Sequence, residues 1–132
     1  DKSILIEFSK NLEKIVLNSD KEQISRVFFN LIKNSIESIQ QKAENDSKFN
    51  KKITIELSEI DDHIYIVIVD SGIGFSKVSS NIKDILNPYF TTKKNGTGLG
   101  LSIVNKIISD HNGKIDFVPI SDGAKIKIDF VK

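Results

Sequence analysis

Two spacings of apolar residues organise the chain. Ile4, Ile6 and Phe8 alternate with polar neighbours, which predicts a half-buried strand. A second short strand is expected over Ile15 to Leu17. The period then changes: Ile24, Val27, Phe28, Leu31, Ile32, Ser35, Ile36 and Ile39 fall on one helical face. Asn18-Ser19-Asp20 supplies cap chemistry before that helix, with Gln23 three residues after Asp20 as in a capping box. Gln40 to Lys52 is polar and lysine-rich, and reads as a helix end followed by a loop. Ile53, Ile55 and Leu57 alternate again, and Asp61-Asp62 marks a hairpin turn. The run Ile64 to Val69 is apolar on both faces and predicts a central strand covered on both sides. Leu99, Ile103, Val104, Ile107 and Ile108 make a second helix, closed by Asn112-Gly113. Ile115-Phe117 and Ile126-Ile128-Phe130 end the chain as two strands around an Asp122-Gly123 turn.

Strand, helix, strands, irregular stretch, helix, strands is the order of a two-layer α/β sandwich. A mixed, mainly antiparallel sheet would be covered on one face by two or three amphipathic helices. The stretch from Gly72 to Gly98 follows neither period, although Val78 to Leu86 has room for a short helix. An irregular segment this long inside a compact domain is usually functional, and a flexible lid over about residues 75–97 is expected. With 132 residues the chain suits a single domain spanning 1–132. Its net charge of +1 argues against a nucleic-acid binder. The absence of cysteine excludes disulfides and thiolate metal sites, and fits a reducing compartment. The longest apolar run, Ile64 to Val69, is too short to span a bilayer. The chain starts at Asp1 and contains no methionine, so it reads as a piece of a longer protein.

The chemistry concentrates in four segments. In Gly96-Thr97-Gly98-Leu99-Gly100-Leu101, alternate glycines lead into the second helix. Glycines let backbone approach a ligand closely, and a helix N-terminus offers unpaired N–H groups with partial positive charge. Together they make a phosphate cradle. No Gly-Lys-Ser/Thr closes the run, so it is not a P-loop, and Leu101 stands where a dinucleotide fingerprint needs glycine. Asn30 and Asn34 are four apart on the first helix and share a face. They fit either a solvated helix face or amide oxygens for Mg²⁺, a hard cation. Asp70 ends the most apolar strand, where its carboxylate needs donors. With Ser71, Gly72, Ile73 and Gly74 it fits an ordinary turn or an acceptor for the exocyclic amine of adenine. Lys93, after Thr91-Thr92, is a solvated lysine or a point charge for a terminal phosphate.

Taken together and in this order, the segments resemble the ATP-binding catalytic domain of sensor histidine kinases, in the superfamily shared with DNA gyrase, the heat-shock chaperones and MutL. The likeness runs from about Ile4 to Val131. Asn30 to Asn34 is similar to the N box, and Asp70-x-Gly72-x-Gly74 to the first glycine box. Pro88 to Lys93 is similar to the F-box region in its nitrogen-regulation form, and Gly96 to Leu101 to the second glycine box. The resemblance implies ATP and Mg²⁺ as ligands. Asn34 would be the principal metal ligand, and Asn30 a supporting metal or phosphate contact. Asp70 would bind the adenine amine directly and through water, with Gly72 and Gly74 lining the base. Thr92, Lys93, Gly96 and Thr97 would lie along the phosphates, Lys93 touching them. Gly98, Leu99 and Gly100 would donate N–H groups, with Leu101 following. Asn30, Asn34 and Lys93 would thus form the catalytic set.

Three departures from the family pattern shift the weight of that assignment. Glu37 stands where many members carry Lys or Arg, which leaves more to Lys93. The last glycine box reads Gly123-Ala124 instead of Gly-Thr. Asn30 stands where hydrolytic relatives place a catalytic glutamate, and an amide cannot take a proton from water. Neither His63, by a hairpin turn, nor His111, at a helix end where it would favour the dipole, has the setting of a phosphoacceptor. The resemblance therefore implies an acceptor histidine on a dimerising helical domain of the same protein, with a response regulator downstream. It implies a monomeric piece in the cytoplasm, from a parent that an inner-membrane anchor would suit. A serine kinase of the anti-sigma-factor type and a non-catalytic, ATP-gated clamp are the alternatives.

Overall fold

A computed structural model of the chain describes residues 4–10, 19–46, 48–74, 100–118, 120 and 122–131. The described elements run β1 (Leu5–Lys10), α1 (Lys21–Ala43), β2 (Lys52–Ile60), β3 (His63–Asp70), α2 (Gly100–Asp110), β4 (Gly113–Val118) and β5 (Ala124–Val131). The strands form one open sheet in the order β1-β2-β3-β5-β4. Only β1 and β2 pair in parallel, and the other neighbours are antiparallel. The expected mixed, mainly antiparallel sheet with helices on one face is the observed architecture. The expected strand over Ile15 to Leu17 and the helix within Val78 to Leu86 lie outside the described residues.

Period-two patterning places the core on one sheet face. Phe8, Ile55, Ile68, Ile126 and Phe117 align across the five strands, and Leu57, Ile66, Ile128 and Ile115 form the next row. Val27, Leu31 and Ile39 from α1 and Val104, Ile107 and Ile108 from α2 bury against these rows. Two expectations need correction. In β3 only Ile64, Ile66, Ile68 and Asp70 are buried, while His63, Tyr65, Val67 and Val69 are intermediate. The strand is central but covered by helices on one face. Its outer side chains are shielded by neighbours such as Lys127, whose Nζ lies 4.8 Å from the Tyr65 ring centroid. Strand β1 is exposed throughout, with Phe8 60% accessible although it shares the core row. Among the described strands it pairs with β2 alone, at the margin of the described sheet, and the described helices pack over the inner strands.

The helix ends depend on contacts distant in sequence. Asp20 has extended backbone and its carboxylate accepts from Glu22 N at 3.0 Å and Gln23 N at 3.2 Å, an N-cap as expected. The reciprocal half of the capping box is not made by Gln23. Asp20 N instead donates to His111 Nε2 at 3.1 Å, across 91 residues. His111 Nδ1 in turn donates to the Ile107 carbonyl at 2.8 Å. The two bonds require a proton on Nδ1 and a lone pair on Nε2, so His111 is a stitch between the start of α1 and the end of α2. At the α2 terminus the left-handed residue is Asn112, with φ 59°, and not Gly113. Gly113 is needed for space: a Cβ there would lie 2.8 Å from the Phe130 ring and 2.9 Å from Ile108.

Candidate functional site: a pinned carboxylate beside a helix N-terminus

Asp70 is 5% exposed at the end of β3. Burial pushes its carboxyl above the usual carboxylate range. The N–H of Gly72, the Ser35 hydroxyl, the N–H of Ala124 and the charge of Lys42 oppose that push. The Gly72 bond is 2.9 Å. Ser35 is 2% exposed and occupies a core position of the α1 stripe, so its hydroxyl needs a buried partner, and Asp70 is that partner.

The turn after Asp70 is fixed residue by residue. Ser71 N donates to the Lys52 carbonyl at 3.1 Å, and Lys52 N donates to Ser71 Oγ at 2.9 Å. Ile73 N donates to Ser38 Oγ at 2.9 Å. A Cβ on Gly72 would strike the Ser38 side chain, and one on Gly74 (φ +81°) would lie 2.5 Å from the Gly123 carbonyl. Gly123 (φ +97°) is pressed in turn against the Asp70 carbonyl. The packing of the protein thus accounts for glycine at 72, 74 and 123 without reference to a ligand.

The other half of the site is built differently. Asn30 Nδ2 donates to the Arg26 carbonyl at 3.0 Å, which fixes the orientation of the amide. Its Oδ1 faces the first residue of α2 and would lie 3.6 Å from a Cβ on Gly100. Apart from its chain neighbours and its own helix backbone, no other described atom comes within 4 Å of that Cβ position, so neither strain nor packing among the described residues explains glycine at 100. Close approach by a ligand to the α2 N-terminus would explain it. Asn34 lies one turn further along α1 and is half-buried, while Leu101 packs against the core as the apolar anchor of α2. Thr92, Lys93, Gly96, Thr97, Gly98 and Leu99, and the expected lid, lie outside the described residues.

The structure therefore brings Asn30 to Gly100 and gathers Asp70, Gly72, Gly74 and Gly123 at one end of β3. Sequence reasoning missed Ser35 as a partner of Asp70, and missed Ser38 and Lys42 altogether. Ser35 carried a readable signal, because a serine inside an apolar stripe has to be satisfied. Ser38 and Lys42 sit on a polar flank and gave none.

The profile of the Histidine kinase-, DNA gyrase B-, and HSP90-like ATPase family matches residues 19–131. The chain belongs to this family. The putative sensor histidine kinase NtrY-like protein of Rickettsia felis is 34% identical over 129 residues, covering 97% of this chain and 20% of its own length. The catalytic domain of histidine kinase ThkA, solved without nucleotide, superposes with a TM-score of 0.78 at 32% identity, covering 98% of this chain and 80% of that one. ThkA in complex with the response regulator protein TrrA matches at 27% identity and a TM-score of 0.71, covering 98% of this chain and 34% of that one. This ATPase-family domain thus has the fold of histidine kinase catalytic domains, and it spans about one fifth of the length of the curated relatives it matches. Among the described residues no helix is long and apolar enough to cross a membrane.

Proposed function

We propose that this domain binds Mg-ATP and supplies its γ-phosphoryl group to a histidine on a separate helical dimerisation domain, upstream of a response regulator. The observation that carries the reading is the buried Asp70 carboxyl, held in place by Ser35, Gly72 and Ala124 at the end of an otherwise apolar strand. A carboxylate held there at the expense of burial suits an acceptor for the adenine amine. Asn30 and Asn34 fit a hard cation, since an amide oxygen is a suitable donor and Asn30 Oδ1 is already turned toward the α2 N-terminus. When bound, Mg²⁺ would neutralise charge on the phosphates.

Phosphoryl transfer asks for positioning and charge neutralisation more than for covalent help from the protein. Asp70 would hold the base, and the N–H groups of Gly98, Leu99 and Gly100 would hold phosphate oxygens. Lys93 would approach the terminal phosphate. The bond from the γ-phosphorus to the bridging oxygen breaks, a bond to the acceptor imidazole nitrogen forms, and ADP leaves. His63 and His111 are poor acceptors. Both ring nitrogens of His111 are engaged, and His63 starts β3, roughly 23 Å from Asp70 at the usual strand rise. Asn30 donates its amide hydrogen to Arg26 and offers no base for water, so hydrolysis should be slow. The names of the relatives favour histidine over serine as acceptor, and the ThkA–TrrA complex supports a response regulator as downstream partner.

Calorimetric titration with ADP and a non-hydrolysable ATP analogue, with and without Mg²⁺, tests the proposal. Binding that strengthens with Mg²⁺ is expected, together with no acid-labile label from γ-labelled ATP on this chain alone. No heat and no thermal shift at millimolar nucleotide would overturn it.

A further inference from the structure

Lys42 lies in the last turn of α1, outside every segment to which the family resemblance assigns a role. Its Nζ donates to the Ser71 carbonyl at 3.3 Å, in a partly buried setting. The same Nζ stands 4.5 Å from the centroid of the Phe49 ring, close enough for a cation–π contact. Phe49 is itself packed against the core and is the one aromatic residue in the polar stretch from Gln40 to Lys52. The ring returns over the helix end and covers the ammonium. Lys42 therefore joins Ser35, which meets Asp70 itself, and Ser38, which meets Ile73, in holding the end of β3 from the helix side, and it is the charged member of that set.

We infer that Lys42 is a positioning residue for adenine recognition, clamping the Ser71 carbonyl under the cover of Phe49 and so fixing the orientation of the Asp70 carboxylate. The inference rests on the nucleotide reading above. With its backbone N–H, carbonyl and hydroxyl all engaged, Ser71 has no freedom to rotate, and the Lys42 bond is the one that ties it to α1. Among the described residues, the groups acting on the Asp70 carboxyl are the Ser35 hydroxyl and Lys42 from α1, the Gly72 N–H of its own turn and the Ala124 N–H of β5. Among these only Lys42 carries charge, and it favours the carboxylate over the acid. A lysine that served only to complement the helix dipole would stabilise α1 without altering nucleotide affinity as a function of pH.

The experiment compares the wild-type chain with Lys42→Met and Lys42→Arg by calorimetric titration with ADP between pH 5 and pH 8, alongside thermal unfolding. Lys42→Met is expected to bind ADP about tenfold more weakly at neutral pH. Its loss should deepen as pH falls, because Asp70 takes up its proton at a higher pH without the neighbouring charge. Lys42→Arg keeps a donor and a cation that stacks on Phe49, and should stay within about threefold of wild type. If Lys42→Met matches wild type at every pH, or loses the same factor at every pH with no rescue by arginine, the inference fails while the nucleotide reading stands. If wild type itself gives no heat, the nucleotide reading fails and takes the inference with it.

Discussion

The two ends of the candidate nucleotide site are built on opposite plans. Around Asp70 every described group has a partner within the protein. Ser35, Gly72 and Ala124 meet the carboxyl, Ser38 meets Ile73, and glycines 72, 74 and 123 are enforced by neighbours that leave no room for a side chain. Around Asn30 and Gly100 the described protein is open, and among the described residues nothing in the packing requires that glycine. A base is a rigid object of fixed shape, and a preformed wall discriminates it without ordering cost at each encounter. Phosphates are charged, and the amide oxygen and helix N–H groups on offer there suit a ligand that brings its own metal. Base selectivity is thus expected to reside in the folded apo-domain, and phosphate contacts to be completed on binding.

Substitutions can break this contrast, and the largest effect is expected at Gly123. Gly123→Ala would place a Cβ onto the Asp70 carbonyl at φ +97°, and should destabilise the domain by about 4 kcal/mol. Chemical denaturation measures this, and a loss below 1 kcal/mol would show that the Asp70 wall is not rigid. Next, Asp70→Asn should weaken ADP roughly a hundredfold, since an amide N–H would face the adenine amine. Titration with ADP and GDP reads the effect, and equal loss for both would deny Asp70 a role in base selection.

The same residue carries a pH signature in stability. The folded-state carboxyl of Asp70 lies above its unfolded value, so its contribution is fully present below about pH 4 and is lost as pH rises through the raised folded value. The melting temperature of wild type relative to Asp70→Asn should therefore fall as pH climbs from 4 toward neutrality. A flat difference would mean that the burial is not felt.

Smaller effects are expected away from the wall. His111→Ala removes the acceptor for Asp20 N and the bond to Ile107, and should cost about 1 kcal/mol without changing ADP affinity more than twofold. Gly100→Ala sharpens the comparison most, although its energy is smallest. Among the described residues a Cβ meets only Asn30 Oδ1, at 3.6 Å, so the apo-domain should be unchanged or stabilised by about 0.5 kcal/mol. An ATP analogue should bind it more weakly. Stabilisation with undiminished binding would remove the ligand-based explanation of that glycine.

Legibility in the sequence followed the range of the interaction. The α1 stripe, the Asp20 cap and the alternating strands were all readable, because a helical turn or a pleat repeats within a few residues and each apolar position reports its own face. The candidate ligand segments stood out because their residue types are chemically unusual in place: asparagines inside a helix, a carboxylate ending an apolar strand, glycines before a helix. What the pattern could not show was exposure at a margin. Ile6 and Phe8 alternate like any core strand, yet they lie on an edge that the described helices leave uncovered. Likewise Ile64 to Val69 reads as doubly buried, because neighbouring side chains on an open sheet face shield apolar groups without a second layer.

The chain alone therefore determined its elements, the face each one buries and the chemical identity of its polar segments, since these follow from local geometry and transfer from water. Only the tertiary structure decided who partners whom. His111 takes the Asp20 N–H that Gln23 was expected to meet, Ser35 turns from core filler into a donor to Asp70, and Lys42 reaches Ser71 across 29 residues. A hydrogen bond depends on distance and angle within tenths of an ångström, and sequence separation carries no information about either until the sheet and helices have packed.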